Sequence, residues 1–246
     1  MKRNLLTWLG ILVAVLLLVN THSNHSTRAS AHAAYKNLLV AAMGDDFSGN
    51  YKITSSSNPG GGGGSYGGTV RISRMGEAYR IAWTLTGGES YEGVGIQMGD
   101  ALAVGWGTGS GKHGVVAYSI SGGTLAGKWT LSDMRGAIGT EELAGSPALT
   151  GAYKIVKSTT PGGGKGYAGT VTITPSGDTY TVAWKLTSGE SYNGVGVRQG
   201  DLLVVGWGIS QDSVGVVHYW KQGAALQGVW AIPGGKSLGT ETLTRQ

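Results

Sequence analysis

The sequence predicts an all-β protein made of two tandem eight-stranded antiparallel meander domains, each forming a small closed or flattened β-barrel. Three observations lead to this fold class. Sequence motifs recur at a fixed offset of 101 positions, apolar residues alternate with polar ones in short runs, and no stretch of ten or more residues after position 50 has a helical period. The 46 glycines, placed between Trp, Tyr, Val and Thr, suit many short strands joined by tight turns.

The repeat defines two copies, residues 48–145 and 146–246. The segment 66–70 recurs at 167–171, 90–95 recurs at 191–196, and 104–107 recurs at 205–208. Each copy ends in Gly-Thr-Glu, and a link of only four residues, 146–149, joins them. A link this short predicts that the copies lie close together.

Eight strands are predicted in each copy. In the first copy they lie near 50–56, 67–74, 78–86, 90–97, 101–107, 114–120, 124–131 and 137–143. Tyr79, Ile81 and Trp83 alternate with more polar neighbours, as half-buried strands require. Gly99-Asp100 and Gly122-Gly123 have the composition of hairpin turns. Closing such a meander into a barrel removes its exposed edges.

The N-terminus has the pattern of an export signal. Lys2 and Arg3 precede an apolar run from Leu5 to Val19, followed by a polar stretch. Residues 1–33 are therefore predicted to be a signal peptide or an uncleaved membrane anchor, and residues 34–47 a linker. The expected location is periplasmic, cell-surface or secreted, with a possible membrane tether through this segment. The chain has no cysteine, so neither a lipid-modified cysteine nor a disulfide is available.

The charge distribution argues against nucleic-acid binding. The formal net charge is +5, but three of the 19 basic residues lie in residues 1–33, so 16 basic residues face 14 acidic ones in the rest of the chain. They are also scattered singly, whereas phosphate binding needs a clustered basic face.

No complete catalytic or metal-binding set is found. Three of the five histidines lie in residues 1–33, and the other two, His113 and His218, correspond to valine and alanine in the opposite copy. A Ser-His hydrolase or a histidine metal site shared by both copies is therefore not predicted. We expect no cofactor and no metal.

The remaining candidates for ligand contact are inward-facing tryptophans and two strand carboxylates. The candidates are Trp83, Trp106, Trp129, Trp184, Trp207, Trp230, Glu141 and Glu241. The tryptophans either fill the cores or line a pocket for an apolar ligand. The glutamates could alternatively serve a carboxylate-dependent hydrolase. The glycine-rich segments 60–64 and 162–164 are either flexible loops or loops that cover a barrel mouth.

The assembled motifs carry a family resemblance. Gly99-Asp100, Gly114 to Tyr118, Leu125 to Trp129 and Gly139 to Leu143 all recur in the second copy. In this pattern each copy resembles the small secreted bacterial glycine-rich β-proteins often labelled fibronectin-binding proteins, over nearly everything after residue 47. The resemblance implies an exported, non-enzymatic binding or adhesion protein of the cell envelope or extracellular space. A barrel that binds a small apolar ligand is the alternative, and a hydrolase is the third hypothesis.

Overall fold

The computed structural model describes residues 46–60, 64–108, 111–208 and 214–246, and in these ranges every regular element is a β-strand. The predicted leader, 1–33, and nearly all of the linker lie outside the described residues. Within the described ranges no helix has the length and apolar character needed to cross a membrane.

Sixteen strands follow one another along the described chain. They are β1 Gly49–Ser57, β2 Gly68–Met75, β3 Ala78–Leu85, β4 Ser90–Met98, β5 Ala101–Gly107, β6 His113–Ser121, β7 Thr124–Leu131, β8 Gly139–Gly145, β9 Gly151–Thr159, β10 Gly169–Ser176, β11 Thr179–Leu186, β12 Ser191–Gln199, β13 Leu202–Gly208, β14 Val214–Gln222, β15 Ala225–Ala231 and β16 Gly239–Arg245. All eight strands predicted for the first copy are present, and their ends differ from the prediction by at most two residues. Gly99 and Gly122 have positive φ angles, as expected for the predicted hairpin turns.

The strands form two closed antiparallel eight-stranded barrels, which confirms the predicted fold class. Barrel 1 has the strand order β1-β16-β15-β14-β5-β4-β3-β2, and barrel 2 has the order β10-β11-β12-β13-β6-β7-β8-β9. Both orders are circular meanders, so neither barrel leaves an unpaired strand edge.

Each barrel combines strands of both sequence repeats. In barrel 1, β5 pairs with β14, and Val104 lies opposite Val217. In barrel 2, β13 pairs with β6, and Val205 lies opposite Val116. Each repeat therefore contributes five strands to one barrel and three to the other, an exchange that the sequence pattern does not reveal. Barrel 2 is continuous in sequence from β6 to β13, whereas barrel 1 joins the two ends of the described chain.

One end of each barrel is closed by an apolar residue that precedes the first strand of a repeat, β1 in barrel 1 and β9 in barrel 2. Phe47 is fully buried, its ring makes an edge contact with Tyr79, and its carbonyl accepts a hydrogen bond of 2.8 Å from the Tyr51 hydroxyl. Leu149 occupies the equivalent place in barrel 2, and its carbonyl accepts a hydrogen bond of 3.1 Å from the Tyr153 hydroxyl. Each barrel is therefore packed solidly at this end.

The two barrels pack against each other through small apolar residues on their outer faces. Val94, Ala103, Val115, Val204 and Val216 belong to one buried cluster that draws on both barrels. Gly105 and Gly206 let the backbones approach closely, since a Cβ at either would lie about 2 Å from a carbonyl oxygen, that of Gly114 or Gly215 respectively. These glycines thus serve the contact between the barrels as well as the strands that contain them.

Candidate functional site

Barrel 1 contains a cavity of about 430 Å³ at the end opposite Phe47. Exposed residues such as Ser65, Thr86 and Glu89 border it, so cavity 1 opens to solvent. Six of its fourteen described lining residues are aromatic. The lining residues are Asn58, Ser65, Tyr66, Trp83, Leu85, Thr86, Gly87, Glu89, Tyr91, Trp106, Val217, Tyr219, Trp230 and Glu241.

Barrel 2 contains a smaller cavity of about 230 Å³ built from equivalent residues. Its lining residues are Val116, Tyr118, Trp129, Glu141, Thr160, Tyr167, Trp184, Leu186, Glu190, Tyr192 and Trp207. Exposed Glu190 lies at its rim, at the position that Glu89 occupies in cavity 1.

The loop that follows the first strand of each repeat, β1 or β9, borders the mouth of a cavity. Tyr66 is fixed there by Ser56, whose hydroxyl donates to the Tyr66 carbonyl at 2.6 Å and accepts from the Tyr66 amide at 2.7 Å. Ser158 holds Tyr167 in the same way in barrel 2, at 2.5 and 2.7 Å. Residues on both sides of the two predicted mouth loops therefore line the cavities, although residues 61–63 of the first loop lie outside the described residues.

Glu241 lies at the inner end of cavity 1 and is only 3% exposed. The Tyr219 hydroxyl donates to its Oε2 at 3.0 Å, and the Trp83 indole N–H donates to the same oxygen at 3.3 Å. Burial raises the pKa of Glu241 to about 7, while the hydrogen bonds from Tyr219 and Trp83 act in the opposite direction. Trp83 belongs to one repeat and Glu241 to the other, so the strand exchange brings this indole and carboxyl together.

Glu141 occupies the same place in cavity 2. Its Oε1 accepts hydrogen bonds from the Tyr118 hydroxyl and, at 3.2 Å, from the Trp184 indole N–H. Burial raises the pKa of this carboxyl, and the donors Tyr118, Trp184 and Tyr167 oppose the increase. Both barrels therefore hold one buried carboxyl between an indole and a phenol.

Aromatic rings form a chain along the wall of each cavity. In cavity 1, Trp106 makes edge contacts with Tyr91, at a centroid distance of 5.3 Å, and with Trp230, at 6.5 Å. In cavity 2, Trp207 makes the same contacts with Tyr192, at 5.3 Å, and with Trp129, at 5.9 Å. Edge-to-face packing of this kind fixes the orientation of the rings that line the cavity.

The two cavities differ at one indole nitrogen. In barrel 2 the Trp129 N–H donates to the Thr159 carbonyl at 3.2 Å. In barrel 1 the equivalent Trp230 N–H is buried and lies near the Tyr66 hydroxyl, but it makes no hydrogen bond of good geometry to a described residue. A poorly satisfied buried donor is costly, so a ligand acceptor in cavity 1 would relieve this cost.

All eight candidate residues from the sequence line the two cavities. Trp83, Trp106, Trp230 and Glu241 line cavity 1, and Trp129, Trp184, Trp207 and Glu141 line cavity 2. Six further lining residues are not among the candidates predicted from the sequence: Tyr66, Tyr91, Tyr167, Tyr192, Glu89 and Glu190. These residues recur at the repeat offset next to glycine-rich turns, and this recurrence is the pattern that identifies them.

The two histidines among the described residues lie outside the cavities. His113 and His218 are both buried, and neither is a lining residue of cavity 1 or cavity 2. Among the described residues, no three His, Cys, Asp or Glu side chains come together in a group that could hold a metal ion.

Comparisons of the chain with protein-family models, curated proteins and solved structures gave no match. The resemblance to secreted fibronectin-binding-like β-proteins therefore remains a prediction.

Proposed function

We propose that this protein binds small molecules, with one site in each barrel, and that each site takes a molecule with an apolar body. The observation that carries the proposal is the pair of solvent-connected cavities, each walled by three tryptophans at the end opposite a solid core. Pockets for small ligands are concave, mostly apolar and furnished with a few convergent polar groups. The buried carboxyl with its indole and phenol donors supplies such a group in each barrel.

The two cavities differ in size, so we expect them to bind ligands of different bulk or to bind one ligand with different affinities. Ligand pockets span about 300–1,000 Å³. Cavity 1, at about 430 Å³, falls in this range, whereas cavity 2, at about 230 Å³, falls below it. We therefore expect barrel 1 to be the stronger site for molecules that contain two fused rings.

The proposal departs from the exported binding or adhesion protein that the resemblance in sequence implies. The observations that support small-molecule binding lie inside the barrels. The large apolar side chains exposed on the described surface are Met134, Val156 and Ile232, and none of them lines either cavity. Export to the envelope or beyond remains a prediction from residues 1–33. Adhesion and hydrolysis by Glu141 or Glu241 also remain predictions.

The test is a titration of the full-length protein with the uncharged fluorescent probe N-phenyl-1-naphthylamine. We expect enhanced probe fluorescence and a change in tryptophan emission, because six of the eight tryptophans line the cavities. Val217→Phe should fill part of cavity 1, and Val116→Phe should fill part of cavity 2. Each should reduce probe binding to its own barrel.

A matched control is Trp220→Phe. Trp220 is not a lining residue and packs against His218 on the outside of barrel 1, so its loss should leave the affinity unchanged. The N-terminal segment is common to all variants, and its contribution to probe binding therefore cancels. Equal probe binding by wild type and by the Val217→Phe, Val116→Phe double variant, with both folded, would refute the proposal.

A further inference from the structure

The ionisable groups that line the cavities are all acidic. Cavity 1 is lined by Glu89 and Glu241 and cavity 2 by Glu190 and Glu141, and among the described residues no Lys, Arg or His side chain lines either one. Outside residues 1–33 the chain has 16 basic and 14 acidic residues, so a lining with acidic and no basic side chains does not follow from the composition. Both cavities are therefore acidic, at equivalent positions of the two barrels.

The inner carboxyl of each cavity is hydrogen-bonded, but no positive side chain in the described part of the chain forms a salt bridge with it. Glu241 accepts bonds from Trp83 and Tyr219, and Glu141 from Trp184 and Tyr118, all of which are neutral donors. The salt bridges among the described residues join Arg80 to Glu92 and Lys112 to Asp133, away from both cavities. A buried carboxylate without a counter-charge is unfavourable, and a positively charged ligand would supply that counter-charge.

The aromatic wall also favours a cation. The face of a tryptophan or tyrosine ring carries negative electrostatic potential, and it attracts an ammonium group placed within about 6 Å of its centroid. Trp106 is held by edge contacts on both sides, from Tyr91 and Trp230, so its orientation is fixed before a ligand arrives. An aromatic wall with a carboxyl at its inner end combines the two interactions that recognise organic ammonium ions.

We propose that the ligand of each cavity is an organic cation, an amine or quaternary ammonium compound with an apolar body, whose charged head lies next to Glu241 in barrel 1 and Glu141 in barrel 2. This inference rests on the proposed function, since it names the ligand class of the same two sites. The rim glutamates, Glu89 and Glu190, lie at the entrance and attract the same charge.

The experiment compares two probes of nearly identical shape. Benzyltrimethylammonium carries the positive charge, and neopentylbenzene has a carbon atom in place of its nitrogen. Both are used to displace N-phenyl-1-naphthylamine from the full-length protein. We expect the cation to bind at least tenfold more tightly than its uncharged isostere, and benzoate, which carries the opposite charge, not to displace the probe.

Two variants assign the preference to the carboxyls. Glu241→Gln keeps the size of the side chain and an oxygen acceptor for Trp83 and Tyr219 but removes the negative charge. It should abolish the preference for the cation in barrel 1, measured as the ratio of the affinities for benzyltrimethylammonium and neopentylbenzene. Barrel 2 of the same variant should keep its preference for the cation and serves as the internal control. Glu141→Gln should abolish the preference in barrel 2 and leave the preference in barrel 1.

The outcomes separate this inference from the proposed function. If both isosteres displace the probe with equal affinity, or if Glu241→Gln leaves the cation preference of barrel 1 intact, the sites bind small molecules but the cation inference is wrong. If neither isostere nor N-phenyl-1-naphthylamine binds to either barrel, the proposed function itself is wrong.

Discussion

The indole of Trp106 lies against Gly215, a residue of the other repeat, so closely that a Cβ on Gly215 would be 2.3 Å from the ring. Trp207 and Gly114 form the equivalent contact in barrel 2, where the distance would be 2.6 Å. Each contact joins a cavity tryptophan to the first residues of the strand received from the other repeat. These glycines therefore couple the strand exchange to the shape of the cavity wall.

We expect Gly215→Ala to destabilise the protein by about 1–3 kcal/mol, the usual cost of overpacking a well-packed site. The added methyl group must displace Trp106, which is confined between Tyr91 and Trp230, so probe binding to cavity 1 should weaken as well. Chemical denaturation and the probe titration measure the two effects. Gly64→Ala is the matched control because a Cβ at Gly64 meets no atom within 4 Å. Unchanged stability in Gly215→Ala would contradict this contact.

The strand exchange predicts which fragment of the chain folds alone. Residues 113–208 contain all eight strands of barrel 2, whereas residues 48–145 contain five strands of one barrel and three of the other. We expect the 113–208 fragment to unfold cooperatively and to bind the naphthylamine probe. The repeat 48–145 should require a second copy of itself and elute as a dimer. A cooperative monomer of 48–145 together with an unfolded 113–208 fragment would contradict the exchange.

Buried glutamates and histidines should act in opposite directions on the pH dependence of stability. Burial raises the pKa of Glu241 to about 7 from an ordinary value of 4.5, so its ionisation lowers the free energy of unfolding as the pH rises from 4.5 to 7. Burial lowers the pKa of His218 to about 4 from 6.5. Because the unfolded state binds the proton first, the free energy of unfolding decreases as the pH falls from 6.5 to 4. Each effect amounts to about 1 kcal/mol per pH unit within its window.

The two variants should therefore change the slope of the free energy of unfolding against pH in opposite directions. Glu241→Gln removes the decline of stability between pH 4.5 and 7, whereas His218→Ala removes the loss of stability below pH 6.5. Alanine is the residue found at the equivalent position of the first repeat, Ala117. Denaturation midpoints measured from pH 4 to 8 give the slopes. Parallel profiles for wild type and both variants would show that folding shifts the pKa of neither group, which would contradict the prediction.

The residue that closes barrel 1 should contribute strongly to stability. Phe47 is fully buried, and Lys221 lies over its ring at 4.7 Å from the centroid. We expect Phe47→Ala to lower the free energy of unfolding by about 3–5 kcal/mol. Phe47→Leu, which copies Leu149 of barrel 2, should cost less than about 1.5 kcal/mol. Val156→Ala, at a half-exposed position, is the control and should change stability by less than about 0.5 kcal/mol.

Strand positions could be predicted from the sequence because alternation is a local property. Tyr79, Ile81 and Trp83 are buried in barrel 1, and the glycine turns between strands have the expected positive φ angles. The choice of partner for β5 could not be predicted in this way. The segments 114–118 and 215–219 are nearly identical in sequence, so either β6 or β14 offers β5 the same pairing surface.

The candidate site was predictable only in part for a related reason. Alternation shows that Trp83 and Trp184 face inward, but it does not show whether the space between inward side chains is filled. That depends on where the chain closes the barrel, and Phe47 and Leu149 close only one end. The tyrosines at the mouth, such as Tyr66 and Tyr167, lie outside the strands and therefore follow no alternating pattern.

The two barrels cannot close at the same time during synthesis. All strands of barrel 2 are available once residue 208 has been made, but β1 must wait for β16, and Tyr51 and Arg245 are 194 positions apart. At about 5–20 residues per second, the ribosome needs on the order of ten to thirty seconds to proceed from β5 to β16. During that time the first five strands lack three of their partners, so we expect the part of the chain that is made first to reach its final fold last.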